Sequence, residues 1–98
     1  MYIKETAIKN RYLIAGEEII KRVMEGRLET IKLLLDAGSD INFKDQYGNT
    51  ALHYAAMLVN FSDIYQFLAK HGAREDSPNN DGLTPSEVLH LIDPTDEN

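Results

Sequence analysis

The chain has 98 residues, 43% hydrophobic and 27% charged, with 10 Lys and Arg against 16 Asp and Glu for a net charge of −6. That balance fits one small soluble domain and leaves little room for a second. The absence of cysteine excludes a disulfide framework, thiolate catalysis and Cys-based zinc sites, and no apolar run approaches the roughly 20 residues that a bilayer-spanning helix needs.

In chain order, Met1 to Thr6 carry charge where a secretory signal needs an apolar core. Ile3, Ala7, Ile8, Tyr12 and Leu13 then recur at helical spacing and predict an N-terminal helix over 1–16. Glu17 to Glu25 reads as a helix with Ile19, Ile20 and Val23 on its apolar face, Gly26 marks a turn, and Leu28 to Ala37 reads as a second helix stopped by Gly38. After an extended excursion, Thr50 is an N-cap ahead of the small-residue helix Ala51-Leu52-His53-Tyr54-Ala55-Ala56, whose paired alanines predict close contact with a neighbouring helix. A turn near Asn60 leads to a helix capped by Ser62, with Ile64, Phe67 and Leu68 on one face and Gly72 as its stop. Thr84-Pro85-Ser86-Glu87 is a capping box with proline at the first helical position. It opens a last helix through Val88, Leu89, Leu91 and Ile92, before the acidic tail 93–98.

These elements repeat. Gly38 and Gly72 each end a helical run and stand 34 positions apart, as do Thr50 and Thr84. Two independent landmarks share one period, so each unit is helix, turn, helix and extended excursion. The stretch Gly26-Arg27-Leu28-Glu29-Thr30-Ile31-Lys32-Leu33-Leu34-Leu35-Asp36-Ala37-Gly38-Ser39-Asp40-Ile41-Asn42 resembles the second half of an ankyrin repeat, and Asp45-Gln46-Tyr47-Gly48-Asn49-Thr50-Ala51-Leu52-His53-Tyr54-Ala55-Ala56 resembles the start of the next, with its Thr-x-Leu-His turn.

The resemblance covers about residues 17–92 and implies an all-α, short ankyrin-like solenoid of helix-turn-helix repeats with hairpin-like finger loops. On that reading 1–98 is a single domain: a capping helix (1–16), a degenerate opening repeat (17–44), a central repeat (45–78), a truncated closing repeat (79–92) and the tail (93–98). Stacks of this kind need about three units to build a shared core, so the capping helix is expected to cover the first repeat. The central repeat runs to 34 positions where about 33 is usual. The extra residue falls in Met57-Leu58-Val59-Asn60-Phe61, where Asn60 replaces the customary turn glycine. That loop is either a protrusion carrying Leu58 or Phe61 outward or a local bulge.

Catalysis needs converging titratable groups, and the histidines supply none. His53 belongs to the Thr-x-Leu-His turn, where the resemblance implies a structural hydrogen-bond network; His71 adjoins a helix C-terminus; His90 has no carboxylate at ligand spacing. There is no Gly-rich phosphate loop and no nucleophile setting, so no enzyme activity, cofactor or metal is expected. Leu33, Leu34, Leu52, Ala55, Phe67, Leu68 and Leu89 are assigned to the core.

What such a stack offers is surface. The resemblance places Lys44, Gln46, Tyr47 and Asn49 on the central finger, Met57 and Leu58 on the groove face of the following helix, Met24 and Glu25 at the same places in the opening repeat, and Asn80, Asp81 and Leu83 in the closing one. Tyr47 is the strongest hot-spot candidate. Met24 and Met57 read equally as adaptable contacts or as core filling. Residues 1–34 carry net charge +2 and residues 35–98 net −8, which disfavours nucleic acid and favours a basic protein partner steered by Asp45 and Asp81.

The expected function is that of a small cytoplasmic inhibitor or immunity-type protein, monomeric or bound to its target, that occludes a basic partner such as a toxin. Small size, the start at Met1 and the acidic later repeats favour it. A cytoplasmic adaptor or regulatory subunit and a self-associating structural unit are the alternatives.

Overall fold

The computed structural model describes residues 17–58 and 62–92. The expected capping helix (1–16), the acidic tail (93–98) and residues 59–61 of the inserted turn lie outside them. Within the described residues there are five helices and no strand: α1 Glu17–Glu25, α2 Leu28–Asp36, α3 Ala51–Met57, α4 Ser62–Lys70 and α5 Pro85–Ile92. Ser62 is thus the first residue of α4 rather than the residue before it.

Helices of seven to nine residues do not persist alone in water. They form here because each buries a face on its neighbours. Helix α3 packs against α1, α4 and α5, while α2 packs against α1, so α1, α3 and α5 make an inner row flanked by α2 and α4. Ala51, Ala55 and Ala56 of α3 are at most 2% exposed, which lets α3 sit closely among its neighbours. Ile19, Val23, Ile31, Leu52 and Leu68 are fully buried around them. Tyr65 of α4 is also buried, and its hydroxyl donates to Glu75 Oε1 at 2.8 Å. Burial and that carboxylate push its phenol above the ordinary tyrosine range.

The helix ends follow from named residues. Gly38 and Gly72 hold φ of +100° and +104°, and each is followed by an amide that reaches back five residues, Ser39 N to Leu34 O and Ala73 N to Leu68 O, both at 3.0 Å. That pattern satisfies carbonyls which α2 and α4 would otherwise leave unpaired. Thr50 caps α3 from an extended backbone, its Oγ1 accepting from His53 N at 3.4 Å. Thr84 and Glu87 close the expected capping box on α5: Thr84 N donates to Glu87 Oε1 at 2.9 Å, and Glu87 N donates to Thr84 Oγ1 at 3.2 Å.

One core assignment is overturned. Leu33 is 67% exposed, whereas Leu34 is 8% exposed. The run Leu33-Leu34-Leu35 gives no period by itself, but at 100° per residue Leu33 lies about 200° from fully buried Ile31 and faces solvent. Phe67 and Leu89 are partly buried and pack against the core.

His53 joins successive repeats. Its side chain is 0% exposed. Nδ1 accepts from the Thr50 amide at 3.0 Å, and Nε2 lies 2.9 Å from the Leu83 carbonyl of the next finger. The Thr50 amide must donate, so Nδ1 carries the lone pair and Nε2–H donates to Leu83. The two fingers meet along their length. The Asn42 side chain accepts from Arg74 N at 3.0 Å and donates to Gly72 O at 3.2 Å; Lys44 Nζ reaches Pro78 O at 3.5 Å; Asn80 donates to Tyr47 O through its amide and to Gln46 O through Nδ2, both at 3.0 Å. Gly48, at φ +77°, lies beneath this seam: a Cβ there would stand 2.6 Å from Asn80 Oδ1 and 2.8 Å from Asn80 N.

Two outcomes follow. Burial is the largest influence on His53 and lowers its pKa, with Lys44 acting the same way and the Leu83 carbonyl and Asp45 opposing. A folded-state pKa below the unfolded one means that stability is complete above the unfolded value near 6.5 and is lost as pH falls below it. Urea midpoints measured from about pH 7.5 to about pH 5 should therefore decline, and His53→Gln should remove part of that slope while lowering stability at pH 7.5. Gly48→Ala should cost about 2 kcal/mol or more, from left-handed strain plus the clash with Asn80, readable as a lower urea midpoint.

Candidate protein-binding surface

Each finger tip is shaped by the side chain that opens its turn. Asp45 Oδ1 accepts from Tyr47 N at 2.9 Å and Asn49 N at 3.0 Å, and Gly48 N returns to Asp45 O at 2.9 Å. In the second finger Asn79 takes that role, its Oδ1 accepting from Asp81 N at 2.9 Å and Leu83 N at 3.0 Å. Such Asx turns leave the intervening side chains pointing away from the hydrogen-bonded base.

The tips differ in chemistry. Tyr47 is 59% exposed. Its counterpart 34 positions later is Asp81, also exposed, whose carboxylate has no Lys or Arg paired with it among the described residues. Gln46 is exposed beside Tyr47, and Asn80 is exposed although its amide groups are spent on the first finger. An aromatic ring and a free carboxylate thus stand on neighbouring, cross-linked turns.

Several sequence-derived candidates have other duties. Asn49 is only 8% exposed; its Nδ2 donates to the Tyr54 hydroxyl at 3.4 Å and its Oδ1 accepts from Asn79 Nδ2 at 2.8 Å. It is a buried brace between fingers, not a contact residue. Asp45 is half-buried, with both oxygens occupied, because Tyr54 OH donates to Oδ2. It shapes the turn, and its neutral hydrogen-bond donors leave its negative charge in place. Lys44 is exposed at the finger seam.

Met24 and Met57 are 54% and 36% exposed, so neither is a buried core side chain. Glu25 is exposed but paired with Arg22 at 3.5 Å and Arg27 at 3.1 Å. Leu58 is half-buried at the C-terminal end of α3. These residues sit at the far ends of α1 and α3, about 10 Å of helix away from the fingers. The structure therefore brings together Lys44, Gln46, Tyr47, Asn80 and Asp81, and separates them from the methionine end of the groove.

An open cleft of about 580 Å³ lies between α1 and the first finger, lined by Glu17, Ile20, Lys21, Phe43, Lys44, Asp45 and Gln46. Sequence reasoning missed Glu17, Ile20, Lys21 and Phe43, although stepping back three, four and seven positions from Met24 finds the first three on one helix face. It also missed Tyr54. Among the described residues no cluster of three or more His, Asp or Glu could hold a metal ion, and no helix is long and apolar enough to cross a membrane.

Charge is organised along the stack. In α1 and α2, Glu18 pairs with Lys21 and Arg22, and Glu29 pairs with Lys32. Asp36, Asp76 and Asp81 lie exposed, with no such partner among the described residues. Ion pairs thus cluster on α1 and α2, and uncompensated carboxylates stand at the end of α2 and on the second finger.

Comparison with known proteins agrees with this architecture. The profile for ankyrin repeats (3 copies) matches residues 19–91. Protein phosphatase 1 regulatory subunit 27 of Homo sapiens is 43% identical over 72 residues, covering 74% of this chain and 44% of that protein. An ankyrin repeat protein of Acanthamoeba polyphaga mimivirus is 36% identical over 72 residues, 74% of this chain and 42% of its own length. One from fowlpox virus is 38% identical over 67 residues, 68% of this chain and 15% of its own length. The chain thus spans under half the length of the first of these relatives. Its stacked helix pairs, its Thr50–His53 turn and the match over 19–91 place it: the chain belongs to the ankyrin repeat family of protein-protein interaction modules.

Proposed function

We propose that the chain docks its finger tips on a basic surface of another protein and occludes it, acting in the cytoplasm as an inhibitor or immunity-type protein. The observation that carries this reading is the pairing of Tyr47 and Asp81 on adjacent turns held together by Asn80. A tyrosine face and a free carboxylate suit an arginine or lysine of the partner, the ring taking a cation–π contact and the carboxylate an ion pair. The fingers are already braced, so little conformational entropy is lost when they bind. The exposed Asp36 and Asp76 extend the negative field that steers a cationic surface inward.

A second reading is a regulatory subunit of a larger enzyme. It is favoured by the 43% identity with a protein named as a phosphatase regulatory subunit. The two differ in outcome: an occluding inhibitor abolishes its partner's activity, whereas a regulatory subunit redirects it.

The test is kinetic. For a partner identified by affinity capture, the association rate should fall by on the order of tenfold between about 0.05 and about 0.5 M salt. Asp81→Lys should slow association to a similar degree, and Tyr47→Ala should weaken binding by about 1–3 kcal/mol, chiefly through faster dissociation. Salt-independent association, or a Tyr47→Ala variant that binds as tightly as the parent, contradicts the proposal.

A further inference from the structure

The hydroxyl of Tyr54 occupies an unusual place in the polar framework. Tyr54 lies on α3, half-buried, one position after His53. It donates to Asp45 Oδ2, and Asp45 Oδ1 in turn fixes the amides of Tyr47 and Asn49. The same hydroxyl accepts from Asn49 Nδ2 at 3.4 Å, and Asn49 Oδ1 accepts from Asn79 Nδ2 at 2.8 Å. Asn79 Oδ1 then fixes the amides of Asp81 and Leu83. One uninterrupted path of hydrogen bonds therefore runs from the Tyr47 amide through Tyr54 to the Asp81 amide.

The neighbouring repeat lacks this device. The counterpart of Tyr54 34 positions later is Val88, which is buried and has no hydrogen-bonding group. The second finger is thus oriented by links to the first through Asn79 and Asn80, and to α3 through the Leu83 carbonyl held by His53. Members of such a network reinforce one another, and losing one leaves buried partners unsatisfied.

We infer that Tyr54 is a positioning residue that couples the two finger tips into one binding unit, so that Tyr47 and Asp81 meet a partner in a fixed relation. This rests on the assignment of those two residues as the contact pair. Tyr54 touches no partner itself; it acts through Asp45 and Asn49. Coupling of this kind makes the second tip depend on a side chain that it does not contact.

Residue-resolved amide exchange on the full chain tests it without any partner. Tyr54→Phe removes only the hydroxyl. Exchange at Tyr47, Asn49, Asp81 and Leu83 should accelerate about fivefold to tenfold, the scale of one lost hydrogen bond, while the α1 amides keep their rates. Asn79→Asp keeps the turn acceptor but removes the donor to Asn49, and should accelerate the second finger alone. Acceleration confined to the first finger in Tyr54→Phe overturns the coupling. Unchanged fingers, or an equal rise throughout the helices, overturn the positioning role. The contact assignment fails separately: if Tyr54→Phe loosens both fingers yet an identified partner associates at the parental rate, the anchor stands and the tips are not the binding site.

Discussion

The fully buried imidazole of His53 is the interaction on which the stack depends. It closes the N-terminus of α3 by accepting from the Thr50 amide, and it reaches the Leu83 carbonyl of the next finger. Helices this short are held by their neighbours, so a bond that sets the spacing between units also sets whether their apolar faces meet. The geometry allows one protonation state only, which makes the joint both specific and sensitive to acid. In the closing repeat Glu87 stands where His53 stands in the central one. Its carboxylate accepts from Thr84 and has no proton to donate onward, so the capping half of the arrangement is retained without the bridging half.

From that joint the surface follows. The inner helices fix where each finger begins, and asparagine side chains then tie finger to finger: Asn42 at the base, Asn49 and Asn79 in the middle, Asn80 at the tip. Asparagine suits this work because it donates and accepts at once and brings no charge into a partly buried seam. Asp45 is the half-buried exception, and Asp36, Asp76 and Asp81 are left to solvent. Ion pairs link Glu18, Arg22, Glu25 and Arg27 in the opening repeat, whereas Asp81 ends on a tip beside the Tyr47 ring. Rigid placement of a few exposed side chains is what a binding module contributes, and specificity lies in those side chains rather than in the fold.

Much of this was legible in the residues. Thr50, Gly38, Gly72 and the Thr84-Pro85-Ser86-Glu87 box mark helix ends by local chemistry, which operates over a few residues, and the 34-residue spacing carries the repeat. Local signals stop there. Leu33 was misplaced because a run of leucines carries no phase, and burial depends on which neighbour covers the helix. Asn49 looked like a finger residue because its bonds run to Tyr54 and to Asn79, 30 positions away. Asp45 reads as an unoccupied acceptor for the same reason: the hydroxyl that occupies it lies on the next helix. Positions could be read from the motif, but which polar groups were already spent could not, since that is decided by side chains meeting across repeats.

The proposed docking places the partner on the finger tips and not on the outer helices. Hydrogen–deuterium exchange of the chain, free and saturated with its partner, reads that directly. Protection concentrated at residues 44–47 and 79–82, with α2 and α4 exchanging as in the free protein, is the predicted result. Protection centred on exposed Leu33 and the outer face of α2 and α4, with the finger amides unchanged, would contradict it.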